Sequence, residues 1–190
     1  MLPAWTWTGF YAGVSAGYHD GTFTQSDCVG ACPPAGASMK RGFISVQAGA
    51  DYQFQNNVVL GAFVSLPVTR MKANVDTVPV SFGVFEVKPR IAGVAAARLG
   101  YAYGAFLPYA FVGAGFADVR ITSPFGPAPT NTHVGVAFGA GLEYRLAQHW
   151  SVDFQYTRID IPKEAYDFGG GVERFGETSD NFKVGINYRF

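Results

Sequence analysis

Apolar and polar residues alternate with a period of two along most of this chain, and the alternation is cleanest at its end. From Asn181 to Phe190, the residues Phe182, Val184, Ile186, Tyr188 and Phe190 are apolar, while Lys183, Gly185, Asn187 and Arg189 between them are small or polar. Such a period sends successive side chains to opposite sides of a β-strand, so this segment has one greasy face and one polar face. About ten residues is also the length a tilted strand needs to cross a bilayer.

The same pattern predicts seven more strands, at about 9–19, 42–54, 58–66, 88–101, 107–118, 132–145 and 150–159. In the first, Phe10, Ala12, Val14, Ala16 and Tyr18 oppose Tyr11, Gly13, Ser15, Gly17 and His19. The segment 58–66 is apolar on both faces, which sends Phe63 to the otherwise polar side. Connections between these strands alternate between long (20–41, 67–87, 119–131, 160–179) and short (55–57, 102–106, 146–149). Gln55-Asn56-Asn57 has the asparagines of a hairpin turn, and Pro124, Pro127 and Pro129 are expected to prevent a ladder in the third long connection. Four long loops and three tight turns predict an all-β, eight-stranded antiparallel up-and-down transmembrane barrel. It forms one domain over 1–190, with 1–8 as a lead-in. The long loops are then expected to be extracellular, with the turns and both termini periplasmic. A soluble up-and-down barrel is the rival, because it meanders in the same way.

Which face meets lipid is decided by two features. The polar face is rich in glycine (Gly13, Gly17, Gly49, Gly61, Gly100, Gly113, Gly115, Gly135, Gly139, Gly141, Gly185). Glycine weakens a solvated strand, but a narrow lumen needs small residues beside long charged ones. Aromatic residues also gather near the short turns: Trp5, Trp7, Phe54, Tyr101, Tyr103, Phe106 and Trp150, with Tyr188 and Phe190. This reads as an interfacial girdle, and Tyr18, Phe43, Phe116 and Tyr156 read as a second one at the far end. The greasy face therefore points to lipid.

Composition agrees. Charged residues make up 15% of the chain and acids balance bases at 14 each, so no net field favours nucleic acid. No apolar run approaches the roughly 18 residues of a membrane helix, which leaves a closed barrel as the way to span. Met1-Leu2-Pro3 lacks a basic start and an apolar stretch, so the numbering is expected to begin at the processed chain, with Met1 added. Cys28 and Cys32, in a Gly/Pro-rich loop, suit a small disulfide in an oxidising compartment. Free thiols are the alternative, and a metal site would want further ligands.

Several segments resemble a known group: Trp7-Thr8-Gly9-Phe10-Tyr11 with Gly13 and Gly17, Arg98-Leu99-Gly100-Tyr101, Leu107-Pro108-Tyr109, Gly139-Ala140-Gly141-Leu142-Glu143-Tyr144 and Gly185-Ile186-Asn187-Tyr188-Arg189-Phe190. They are similar to the small outer-membrane β-barrel proteins, called porin-family or surface-antigen proteins and related in architecture to OmpA and OmpX. The resemblance implies insertion into a Gram-negative outer membrane by the assembly machinery, with Phe182, Val184, Ile186, Tyr188 and Phe190 as its recognition signal. It also implies contact with outer-membrane lipids and lipopolysaccharide.

By parity Asp51, Arg98, Glu143 and Asp153 point into the lumen near the turns, joined by Lys183 and Arg189 from the last strand. They are expected to form one layer, a salt-bridged plug that satisfies buried charge, rather than an ion or proton path. His149-Trp150-Ser151 has the spacing of a base and a nucleophile, but His149 falls in a turn and Ser151 faces inward, so no enzyme is expected. His19 and His133 are lone strand-end residues, and Gly169-Gly170-Gly171 follows no phosphate-loop pattern. The expected function is a structural and surface barrel with no cofactor, whose loops contact an extracellular partner. A narrow pore for ions or small solutes is the alternative.

Overall fold

The computed structural model describes residues 6–26, 36–69, 73–74, 86–123, 126–127, 131–167 and 172–190. Period-two alternation yields eight long strands: β1 (Gly9–Ser26), β2 (Gly36–Gln53), β3 (Val58–Pro67), β4 (Glu86–Tyr101), β5 (Phe106–Ser123), β6 (Asn131–Arg145), β7 (Trp150–Asp167) and β8 (Val172–Arg189). Each pairs antiparallel with its neighbours in the chain, and β8 returns to β1, from Tyr11 opposite Arg189 to Ser26 opposite Arg174. The sheet is therefore a closed barrel, with no edge left in hydrocarbon.

Three tight turns and both described chain ends lie at one mouth. Asn57 adopts φ 65° and Gly104 φ 59°, a left-handed conformation that asparagine tolerates and glycine adopts freely. The Phe54 amide donates to the Val58 carbonyl at 2.8 Å, Tyr103 to Phe106 at 2.8 Å and Leu146 to Trp150 at 2.9 Å, closing the three turns. The Phe190 amide donates to the Phe10 carbonyl at 3.0 Å, which ties the end of the chain to its beginning.

The outward set on β8 is Phe182, Val184, Ile186, Tyr188 and Phe190, all exposed, whereas Lys183, Asn187 and Arg189 are buried in the lumen. The apolar band ends in a row of charges that crosses four neighbouring strands. Lys40 pairs with Asp20 at 3.3 Å, Asp20 stands opposite Asp180 in the β1–β8 register, and Arg158 pairs with Asp180 at 3.4 Å. From Phe182 to Phe190 a strand tilted by ~40° climbs roughly 20 Å, near the ~25 Å height of a membrane barrel's apolar belt. Arginine in place of Val184, mid-belt, is expected to cost about 2–4 kcal/mol, read as a lower urea midpoint of the barrel in lipid vesicles. Arginine in place of Thr178, beyond the charged row, is expected to stay within about 0.5 kcal/mol of the parent.

Several strands run well past that row, which corrects the loop boundaries read from the sequence. β1 continues to Ser26 and β2 starts at Gly36, so most of 20–41 is strand; β7 reaches Asp167 and β8 starts at Val172, so most of 160–179 is strand too. Ala73–Asn74 adds a short pairing to β4, and Gly126–Pro127 adds one to β5, so Pro127 does take part in a ladder at the rim. Val78, Val80 and Phe82, whose alternation suggests strand extensions beyond the membrane, lie outside the described residues, as do Cys28, Cys32 and Trp5.

Two aromatic assignments need correction. Phe54, Tyr101, Tyr103, Phe106 and Trp150 are exposed and gather on the outside near the turns with Tyr188 and Phe190, with edge contacts such as Trp150 to Tyr188 at 5.1 Å. Trp7 is not among them: it is 2% exposed and packs inside the mouth on Val59, Ala102 and Leu107. At the other end Phe43 turns inward, so close to Gly17 that a Cβ there would lie 2.6 Å from its ring.

Candidate functional site in the barrel lumen

The four even-numbered strands each contribute one ion to a ring across the lumen: Asp51 from β2, Arg98 from β4, Glu143 from β6 and Arg189 from β8. Arg98 Nε donates to Asp51 Oδ1 at 2.7 Å, and its Nη2 meets Asp51 Oδ2. On the far side Arg98 Nη1 lies 3.0 Å from Glu143 Oε2, an ion pair without hydrogen-bond alignment. Arg189 closes the ring, with Nη1 donating to Asp51 Oδ2 at 2.8 Å and Nη2 to Glu143 Oε1 at 3.3 Å. Each acid touches both arginines and the formal charges cancel. All four residues are buried, so the ring relies on mutual neutralisation where water is scarce.

Neighbouring strands supply the remaining partners. Ser151 Oγ donates to Glu143 Oε1 at 2.6 Å, and Asn187 Nδ2 to the same oxygen at 3.2 Å. Tyr11 and Tyr109 lie beneath the Arg98 guanidinium, their ring centres 4.7 and 5.0 Å away, and Tyr11 also faces Arg189 at 5.0 Å. Aromatic faces thus cover the sides of the cations that the carboxylates leave open.

Asp153 and Lys183 do not join this ring, which corrects the expectation of a single layer. Asp153 stands opposite Glu143 in the β6–β7 register, and the Tyr109 hydroxyl donates to its Oδ1 at 2.7 Å. Lys183 lies deeper along the lumen and donates to Gln47 Oε1 at 2.7 Å and Ser65 Oγ at 3.1 Å; Gln47 in turn donates to Asn187 Oδ1 at 2.7 Å. Lys183 precedes Arg189 by six positions on one strand, so a second tier is legible in the spacing. Beside it, Phe63 packs edge-on against Phe111 at 5.3 Å, with Ala96, Tyr109 and Tyr11 around them. One wall of the lumen is therefore apolar, and Phe63 belongs to it.

Parity alone placed Ser151, Asn187 and Tyr11 inside, so their roles could have been read from the sequence. The mouth gave no such signal. There the Arg189 Nη1 also donates to the Trp7 carbonyl at 2.5 Å, and its guanidinium stacks on the indole.

His149 and Ser151 do not come together as base and nucleophile. Ser151 is committed to Glu143, whereas His149 Nδ1 contacts the Arg189 carbonyl at 2.8 Å and its ring stacks on Tyr188 outside. His19 Nδ1 contacts Asn181 Oδ1 at 2.7 Å. Among the described residues no group of three His, Cys, Asp or Glu side chains is placed to hold a metal ion.

A closed barrel with an apolar belt and an ion-filled lumen can be set beside known proteins. The family model of the outer membrane protein β-barrel domain matches residues 2–190. The chain belongs to that family. Among the family's relatives, a 31 kDa outer-membrane immunogenic protein of Brucella melitensis is 28% identical over 211 residues, covering 100% of this chain and 86% of its own length. A 22 kDa outer membrane protein of Rhizobium leguminosarum is 25% identical and likewise matched along the whole chain, with 81% of its own length covered. Among solved structures, the outer membrane protein OprG of Pseudomonas aeruginosa superposes with a TM-score of 0.65 at 15% identity, covering 98% of each chain. At that identity the likeness concerns the fold alone. As a member of this outer-membrane family, the protein resides in the bacterial outer membrane.

Proposed function

We propose that this protein is a structural and surface-contact barrel whose lumen is shut by its own side chains. The observation that carries the reading is the Asp51–Arg98–Glu143–Arg189 ring. Its ions come from four alternate strands, their charges cancel, and aromatic rings cover the open sides of the arginines. An ion reaching the ring would have to replace bonds that are already made, and the ring itself has no unpaired charge to offer it. The barrel then supports the envelope through its lipid-facing belt, and its long connections, on the extracellular side, present the contact surface. The relatives named as immunogenic proteins support surface exposure. In this reading the lipid partners are outer-membrane lipids and lipopolysaccharide, the β8 residues Phe182 to Phe190 serve as the assembly signal, and the protein carries out no reaction.

Proteoliposome swelling tests this reading. Vesicles holding the refolded protein are expected to swell in small sugars and amino acids no faster than protein-free vesicles. Swelling that scales with protein and falls with solute size would replace the sealed barrel with a narrow pore.

A further inference from the structure

We infer that residues 6–8 form a latch across the turn-side mouth, and that this mouth is a socket for an indole, filled in cis by Trp7. The inference deepens the reading of a sealed lumen by adding a second seal in series with the ion ring. Residues 6–8 belong to no strand, yet Trp7 is almost wholly buried. Its ring rests on Val59 of β3, Leu107 of β5 and Ala102 of the intervening turn. Two guanidiniums face it, Arg145 of β6 at 4.6 Å and Arg189 of β8 at 5.1 Å from the ring centre. Indole has the strongest cation-attracting face of the side chains, so this frame selects tryptophan over an aliphatic filler.

The backbone of the segment is read as closely as the ring. The Trp7 amide donates to Gln53 Oε1 at 2.8 Å, and the Gln53 amide donates to Thr8 Oγ1 at 2.9 Å. Arg145 Nη2 donates to the Thr6 carbonyl at 2.6 Å, and Arg189 Nη1 to the Trp7 carbonyl at 2.5 Å. Three residues thus engage β2, β3, β5, β6, β8 and the β4–β5 turn. The socket is complete only when all of these are in place, so the latch seats after the ring of strands has closed. Gly9 redirects the chain into the mouth at φ +142°, a conformation side chains rarely allow, and a Cβ there would lie 3.2 Å from the Phe190 carbonyl. Arg189 belongs to both the socket and the ion ring, so unseating Trp7 loosens one corner of that ring.

The test uses the whole chain refolded in lipid vesicles, with Trp5→Phe and Trp150→Phe leaving Trp7 as the sole reporter. Acrylamide quenching is expected to be several-fold weaker than for the same protein in urea, and Arg145→Gln is expected to raise it. Quenching that matches the unfolded chain would overturn the latch. In the second arm, Trp7→Ala is expected to lose its heat-modifiable gel form at a lower temperature, and added free indole should restore part of the loss where cyclohexanol does not. Equal rescue by both compounds, or by neither, would overturn the socket. If Trp7→Ala does not fold, the quenching arm still decides. Exposed Trp7 in a barrel that passes no solute refutes the latch and leaves the sealed lumen standing; shielded Trp7 in a leaky barrel leaves the indole socket standing but refutes both the sealed lumen and the latch as a second seal.

Discussion

Arg98→Leu is expected to lower the unfolding free energy of the refolded barrel by roughly 3–5 kcal/mol, the usual cost of leaving a buried charge without its partner. Arg98 is the main counterion of Asp51, through Nε and Nη2, and reaches Glu143 through Nη1. Without it, two buried carboxylates share Arg189 alone, and Asp153 adds a third carboxylate opposite Glu143. The cost should fall when charge balance returns. Asp51→Leu combined with Arg98→Leu leaves Glu143 matched with Arg189, and replacing a buried pair by apolar groups is often close to neutral. The double variant is therefore expected to be more stable than either single one, in urea unfolding followed by loss of the compact gel form. A double variant with the summed loss of the two singles would show that the ions do not act as a ring.

Gly139→Leu is expected to prevent the chain from reaching its compact, heat-modifiable form. Gly139 stands opposite Phe111 in the β5–β6 register, and a Cβ at Gly139 would lie 2.7 Å from Phe111 Cζ. The ring cannot swing away, because Phe63 meets it edge-on and Ala96 and Tyr109 fill the remaining space. Backbone is no softer: the Tyr156 carbonyl lies against the same site. Even alanine is expected to cost on the order of 1–3 kcal/mol, as overpacking does in filled cores. Gly42 provides the contrast. A Cβ there would meet only the Gly17 carbonyl at an ordinary 3.8 Å, so Gly42→Ala should fold like the parent. Gel mobility before and after heating reads both results.

These two sites also show why the sequence was legible where it was. Between the turns and the charged row, one face of every strand meets lipid and the other meets the lumen, so a period of two survives and the inward set reads off by parity. Past Asp20 and Asp160 the strands run on beyond the apolar band, the two-residue pattern lapses, and stretches such as Thr22 to Ser26 look like loop although they are paired strand. Phe63 looked out of place because parity treats each strand alone. Its reason lies across the barrel in Phe111, Tyr109 and Tyr11, and only the closed ring brings these together. Trp7 was misassigned for a related cause. A tryptophan just before a strand suits an interfacial girdle, and nothing in the linear pattern tells that the chain turns at Gly9 and enters the mouth. The single charge layer failed on counting. Lys183 sits two inward positions above Asn187 on its own strand, so it lies in a higher tier and meets neutral partners there.

The sealed lumen is tested most directly by single-channel recording in planar bilayers, because a current needs no labelled solute and registers even a narrow path. The refolded wild-type chain is expected to give no reproducible conductance steps across a range of voltages. Reproducible steps that vanish or change size when Arg98 or Asp51 is altered would contradict the account, since the current would then run through the ring described here as its closure.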